Sequence, residues 1–140
     1  MLELEHRLDD FDAARRRRSL DELAGMLRTG TIAADSITDR INLHAHTFFS
    51  YNSYGYSPSR FAWLAKRTGL ALAGIVDFDV FDGIDEFLAA AAVLDLKACG
   101  GMETRVFVPE FADKVMNSPG EPGISYHMGV GFPSGKLTGK

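Results

Sequence analysis

Two of the four histidines in this chain, His44 and His46, stand one residue apart in the segment NLHAHT. The apolar residues Ile41, Leu43 and Ala45 alternate with polar ones there, as in a β-strand. Because side chains at positions i and i+2 of a strand point to the same side, the two imidazoles are expected to converge. A pair of imidazoles placed in this way could bind one metal cation.

Three further residues could complete such a site, and each lies on or after another predicted strand. Asp77 follows the apolar run LALAGIV, Glu103 lies in ACGGMETRVFV, and His127 lies in ISYHMGVGF. Active sites of parallel α/β proteins collect at the carboxyl ends of the strands. Imidazoles together with a carboxylate suit zinc, iron or manganese better than calcium. The sequence therefore predicts a metal site.

Each of these residues also has a structural interpretation. A single histidine on a strand is commonly hydrogen-bonded into the fold, and Asp77 could cap the helix that follows it. Glu103 is harder to explain in this way, because a buried carboxylate must be paired or bound to a cation. The presence of several such residues on consecutive strands favours the metal site over coincidence.

Two groups near the predicted site could contact a substrate. Arg105 is two residues from Glu103, so it faces the same side. Its guanidinium could clamp a phosphate or carboxylate, or it could form a salt bridge with a nearby acid such as Glu103 itself. Tyr51 and the tyrosines of residues 54–56 could stack on a base or sugar, or they could pack among themselves.

The segments between these residues predict alternating helices and strands. Residues 57–69 predict a helix with Ser57 as N-cap, Pro58 at the first position and Gly69 closing it. A second helix is predicted after the next strand and is opened by Asp82. The resulting strand–helix–strand–helix–strand order predicts right-handed crossovers and a parallel sheet, in the α/β class. The segment NSPGEPG at 117–123 predicts a loop before the fourth strand.

Residues 1–28 predict an amphipathic helix that ends at Gly30. Its run of arginines, residues 15–18, could contact nucleic acid, but the acids around it favour a solvated, salt-bridged helix face. We expect a helical extension over residues 1–39 and an α/β domain over residues 40–140.

Composition limits the remaining classes of protein. The chain of 140 residues is 46% hydrophobic and 24% charged, as in an ordinary globular domain. Its net charge of −4 gives no reason to expect nucleic acid or an anionic membrane as a partner. A single cysteine, Cys99, excludes an internal disulfide. The charged N-terminus is not a secretory signal, and the chain has no apolar run near the ~20 residues of a membrane span. A cytoplasmic location is expected.

The stretch from Asn42 to Phe132 resembles the N-terminal part of the PHP superfamily, named for polymerase and histidinol phosphatase. The matching segments are NLHAHTFFS, SPSRFAWLAKRTGLALAGIVDFDVFDGIDEF, GGMETRV and ISYHMGVGF. In that family a His-x-His pair opens the first strand, a glutamate follows a glycine on the third, and a histidine occurs in a following strand. The resemblance implies the first part of a distorted seven-stranded (βα)7 TIM-like barrel. It also implies four metal ligands: His44, His46, Glu103 as a bridge between ions, and His127.

The function implied by the resemblance is metal-dependent phosphoesterase activity in the complete protein. Two or three ions of manganese, zinc or iron would hold a small phosphorylated substrate and activate a water for in-line attack on phosphorus. We predict Asp77 as a catalytic residue, and Arg105 and Asn52 as substrate contacts.

The sequence departs from the family pattern in three places. The family's Asp-His pair is Asp77-Phe78 here, so one histidine ligand is absent. Ser50, Tyr51 and Asn52 stand where an aspartate or histidine is usual. The chain stops at Lys140, before the later strands of the barrel.

These departures lead us to expect little activity from the 140 residues alone. We expect either the leading part of a longer chain or a half-barrel. The half-barrel would self-associate or hold its N-terminal helix across its open edge. The alternative function is a catalytically degenerate metal-binding or partner-docking domain.

Overall fold

The computed structural model describes residues 1–51 and 54–136. In chain order its elements are α1 (Leu2–Arg7), α2 (Ala13–Arg28), β1 (Ile41–Asn42), α3 (Pro58–Arg67), β2 (Leu72–Phe78), α4 (Ile84–Leu94), β3 (Ala98–Phe107), a short 3-10 helix (Pro109–Phe111) and β4 (Ile124–Phe132). None of the helices in these two ranges has both the length and the apolar character needed to cross a membrane.

The strands form one curled sheet in the order β1-β2-β3-β4. Strands β1, β2 and β3 are parallel, as predicted, and α3 and α4 connect them. Strand β4 runs antiparallel to β3, so the prediction of a parallel sheet is wrong for this strand. The chain between β3 and β4 contains no crossover helix of the kind that usually joins parallel strands. Instead it folds back as a wide hairpin, closed by a hydrogen bond from Val108 N to Gly123 O of 2.8 Å. The sheet is compatible with part of a TIM-like barrel, and the seven-stranded barrel stays a prediction.

Two adjacent glycines bring the neighbours of β3 close to it. A Cβ on Gly100 would lie 2.7 Å from Ile84 Cγ2 of α4. A Cβ on Gly101 would lie 2.7 Å from both Val76 Cγ1 and Gly129 O. Since real Cβ atoms do not approach other atoms so closely, any larger residue here would push α4 or β4 away from β3.

The N-terminal segment forms two helices rather than the single helix predicted. The carboxylate of Asp12 accepts a hydrogen bond from Ala14 N at 2.8 Å and one from Arg15 N at 3.3 Å. Asp12 is therefore the N-cap of a new helix. Its extended backbone is the conformation usual for an N-cap residue and shows that α1 does not continue through it. The prediction that Gly30 follows the helix end is confirmed, with φ of 73°.

Helix α2 packs on α3 and α4, and α1 packs on α2 and contacts α3 through Glu5 and Trp63. Leu8, Leu20 and Leu23 are fully buried in one hydrophobic cluster with Trp63 and Phe87. The helices thus belong to the helical layer of the core and do not lie across the open edge of the sheet. Segments on both sides of residue 39 contribute to this cluster. The division of the chain into two domains at that residue stays a prediction.

The start of α3 agrees with the sequence prediction, whereas the start of α4 does not. The Ser57 hydroxyl accepts a hydrogen bond from Arg60 N at 2.9 Å, and Pro58 is the first helical residue. The same hydroxyl donates to the carbonyl oxygen of Leu8, which links α3 to the segment after α1. Helix α4 begins after Gly83, with no side-chain cap, and not at Asp82.

Replacing Ser57 with alanine is expected to lower the free energy of unfolding by about 1–2 kcal/mol. The substitution leaves the amide of Arg60 and the carbonyl of Leu8 without their shared partner. Denaturant titration of wild type and S57A measures the difference. The exposed Ser36 is a matched control, and S36A is expected to change stability by less than about 0.5 kcal/mol. Equal stability of S57A and S36A would contradict the capping role.

Candidate metal centre

The His-x-His segment runs alongside β2 beyond the two paired residues of β1. Only Ile41 and Asn42 pair with β2 in the ladder. The chain nevertheless stays beside β2, because Val76 N donates a hydrogen bond of 2.9 Å to Ala45 O. His44 and His46 flank Ala45 in this extended segment, so their side chains leave it on the same side.

The two histidines converge on Glu103 of β3. The Nε2 atom of His44 lies 3.0 Å from Glu103 Oε2, and that of His46 lies 3.2 Å from the same oxygen. One ligand atom from each of the three residues lies within 4.8 Å of the other two. The geometry predicted for these side chains is confirmed, and their role as metal ligands stays a prediction.

A serine hydroxyl determines which nitrogen of His46 carries the proton. Ser50 Oγ lies 3.3 Å from His46 Nδ1 and 2.8 Å from Asp77 Oδ1, and it accepts a hydrogen bond of 3.0 Å from Phe78 N. Because a hydroxyl has one proton and a carboxylate only accepts, Ser50 donates to Asp77. His46 then donates its Nδ1–H to Ser50, which leaves a lone pair on Nε2.

The arrangement of these atoms fits a bound cation. In this tautomer the Nε2 lone pair of His46 lies 3.2 Å from Glu103 Oε2, a separation at which both atoms can bind one cation. His44 contributes a third donor atom to the same point. Two imidazoles and one carboxylate form a ligand set typical of zinc, iron or manganese, with further coordination positions left for water or substrate.

Asp77 does not join this cluster, and its catalytic role stays a prediction. Phe78 and Glu103 are register partners and face the same side, so Asp77 faces the other side. Its buried carboxylate accepts hydrogen bonds of 2.6 Å from both Thr47 N and Thr47 Oγ1, in addition to the bond from Ser50. Asp77 therefore holds the turn after the histidines, and it is not the cap of α4 either.

His127 is also outside the cluster. On β4 it pairs with Thr104, whereas the residue opposite Glu103 is Met128. Directly opposed residues of an antiparallel pair share a face, so the exposed side chain of His127 lies on the face away from Glu103. The structure brings together three of the four predicted ligands.

Phe78 lies beside His46 at the end of β2. Its ring stacks on His46, with centroids 4.5 Å apart and planes 12° apart. It is almost fully buried, so apolar volume fills the space beside His46.

The two predicted substrate contacts have different outcomes. Arg105 lies on the face of Glu103, but its guanidinium donates to Glu121 Oε1 at 2.9 Å. A hydrogen bond with Tyr126, and then the charge of Glu121, raise the pKa of Arg105. The salt-bridge interpretation of Arg105 is thus correct in kind, with Glu121 and not Glu103 as the partner. Asn52 lies outside the described residues.

A cavity of about 530 Å³ opens beside the three donors. Its wall contains Tyr51, Phe78, Tyr126 and Met128, and residues 117–119 form part of its rim. Sequence reasoning missed Tyr126 and Met128, because it placed the other alternating set of β4 residues toward the site. It also passed over the linking role of Ser50, for which the spacing of four residues from His46 was the available signal.

No protein-family model and no curated protein sequence matches this chain. Among solved structures, the chain is similar to that of a "putative metal-dependent phosphoesterase" from Bifidobacterium adolescentis ATCC 15703, with 26% sequence identity and a TM-score of 0.45. The similarity covers 51% of this chain and 24% of that chain, so it spans about a quarter of that structure's length.

Proposed function

We propose that this chain carries the metal centre of a metal-dependent phosphoesterase that acts on a small phosphorylated substrate. The observation that supports the proposal is the set of three donor atoms from His44, His46 and Glu103, within 4.8 Å of one another beside a cavity of about 530 Å³. When bound, divalent ions such as manganese, zinc or iron would supply the Lewis acidity and the activated water that hydrolysis of a phosphate ester requires.

The residues of the chain have distinct tasks in this proposal. His44, His46 and Glu103 would hold an ion, and Ser50 would keep the Nε2 lone pair of His46 directed at it. Phe78 limits access of water to one side of His46. In the overall reaction, a water oxygen bonds to phosphorus while the ester P–O bond breaks, and the alcohol leaves with a proton from water.

A second candidate function is a metal-binding or docking domain without catalysis. The observation in its favour is Phe78, whose ring cannot bind a metal and lies where the resemblance implies a ligand. This candidate predicts that the protein binds a metal ion and hydrolyses nothing.

The two candidates are separated by an assay on the product of the complete reading frame. We expect it to release phosphate from a member of a panel of sugar, nucleotide and aryl phosphates in manganese or zinc. A chelator should abolish the activity and added metal should restore it. Metal bound in stoichiometric amount without turnover of any panel member would support the docking domain instead.

Replacing Phe78 with histidine is expected to increase the number of metal ions bound per chain. The new imidazole would lie beside His46, within the same cluster of donors, and would add the ligand that the wild-type chain lacks. Elemental analysis after dialysis measures the ratio of metal to protein. F81H is the matched control, because Phe81 contacts Phe132 and is not part of the cavity. A full metal complement in wild type, unchanged in F78H, would contradict the prediction.

A further inference from the structure

The cavity beside the metal donors has an aromatic wall. The ring of Phe78 stacks on His46 and also on Tyr51, whose centroid lies 5.0 Å away with planes 23° apart. The ring of Tyr126 meets Phe78 edge-on at 5.8 Å. The wall therefore begins next to a metal donor and continues outward from it. A group attached to a phosphate on the metal donors would come to lie against these rings.

Polar contacts at the outer end of the wall connect two of its rings to a neighbouring ion pair. A hydrogen bond with Tyr126 raises the pKa of Tyr51, and Tyr126 also bonds to Arg105. Arg105 is in turn held by Glu121 at 2.9 Å. Tyr126 therefore connects the ring of Tyr51 to the ion pair of Arg105 and Glu121.

The wall leaves an aromatic face free for a ligand. Tyr51 stacks on Phe78 and is still 74% exposed, so packing against Phe78 uses only part of its surface. Met128 is 52% exposed at the same cavity and adds a polarisable thioether. Phe78 alone fills the space beside His46, so the stacked ring of Tyr51 is additional aromatic surface. Flat aromatic surface beside a phosphate site instead favours a flat aromatic ligand.

We infer that this wall, formed by Tyr51, Phe78 and Tyr126, is a subsite for the leaving group of a phosphate ester that carries a flat aromatic ring. The inference rests on the proposed function, because the metal donors must hold the phosphate. It adds the class of substrate: an aromatic ring joined to the phosphate through a short linker. The ring leaves as part of its alcohol when the ester P–O bond breaks.

Binding of two matched phosphonates to the zinc-loaded protein tests the subsite without turnover. Benzylphosphonate and cyclohexylmethylphosphonate have rings of similar size, but only the first ring is flat and aromatic. A groove that binds only through burial of apolar surface would favour the cyclohexyl compound, which has the larger apolar surface. We expect calorimetry to show benzylphosphonate binding about 3- to 10-fold more tightly, the range of an aromatic stacking contact.

Three variants show which residues produce the preference for benzylphosphonate. Y51L is expected to remove it, because the exposed ring is lost while its buried neighbour Phe78 remains. Y126F keeps the ring and breaks the contacts with Tyr51 and Arg105, so a partial loss is expected. F11L is the control for loss of an exposed ring elsewhere: Phe11 is 91% exposed and outside the cavity, and the preference should persist.

The outcomes separate this inference from the proposed function. Equal binding of the two phosphonates in wild type, or an unchanged preference in Y51L, would overturn the subsite even if phosphate esters are hydrolysed. A preference for benzylphosphonate that Y51L removes would support the subsite even if no ester is hydrolysed, and the proposed catalysis alone would then fail. Failure of benzylphosphonate to bind would also overturn the subsite.

Discussion

Replacing His46 with alanine is expected to lower phosphomonoester hydrolysis by the complete protein at least about a hundredfold. Loss of a partner of a metal ligand commonly costs 10- to 100-fold in affinity or activity, and loss of the ligand itself should cost no less. Of the three proposed ligands, His46 is the one in contact with both Ser50 and Phe78. Steady-state kinetics over a range of metal concentrations would show whether kcat falls or the metal requirement rises.

Two other histidine variants serve as controls for H46A. His6 lies in α1, far along the chain from the donors and exposed, so H6A should retain wild-type activity. His127 lies on the face of β4 away from Glu103, and H127A should also retain it. A loss in H127A equal to that in H46A would show that β4 presents its other face to the metal in the complete protein. Unchanged hydrolysis in H46A would contradict the proposed site.

Replacing Glu86 with alanine is expected to have the largest effect on stability, a loss of about 3–5 kcal/mol. Glu86 Oε1 accepts a hydrogen bond of 2.8 Å from Arg16 Nε, and its second oxygen pairs with Arg16 Nη2. The Arg16 side chain is 5% exposed, so the substitution leaves a buried guanidinium without its counter-charge. Ser59 Oγ, which donates to Glu86 at 2.7 Å, also loses its partner. The substitution thereby removes the polar contact that links α2, α3 and α4.

Denaturant titration of E86A measures this loss against a typical total stability of about 5–15 kcal/mol. E22A is the matched control, since Glu22 is exposed on a helix and should change stability by less than about 0.5 kcal/mol. If E86A does not fold, E86Q retains part of the hydrogen bonding and should give a smaller, measurable loss. The double variant R16M/E86L should recover much of the stability, because it removes both buried charges together. A loss in E86A no larger than that in E22A would show that the pair contributes little.

The period of two along a strand was sufficient to predict the convergence of His44, His46 and Glu103. Alternation fixes which neighbours share a side, and the parallel order of three strands brings their ends together. The same rule failed for His127 because it does not say which of two alternating sets faces inward. In β4 one set is apolar and contains Tyr126 and Met128, whereas the other consists of Ser125, His127 and two glycines. Hydrophobic alternation was therefore an available signal that His127 does not share a face with Tyr126 and Met128. The antiparallel pairing with β3 decides, and it places Tyr126 and Met128 on the side of Glu103.

Asp77 shows a second limit of prediction from sequence. Its place at the end of a buried strand is equally compatible with a catalytic carboxylate, a metal ligand and a cap. Its actual partners, Thr47 and Ser50, are about thirty residues earlier in the chain and meet it only after β1 and β2 pair. Long-range contacts of this kind leave no periodic signal. The break between α1 and α2, in contrast, has a local cause, which is the N-cap Asp12. The apolar pattern that runs through residues 1–28 concealed this signal.

The bond between Thr47 and Asp77 has a consequence for deuterium exchange. The Thr47 amide is fully buried and is held by a side-chain carboxylate, not by a strand ladder. That carboxylate belongs to β2, one of the two interior strands of the sheet. The amide can exchange only when β2 is disturbed or the Asp77 side chain leaves its place. Thr47 should therefore exchange as slowly as the amides of the sheet interior, although it lies outside the strand ladder, and would report on opening of the His-x-His segment.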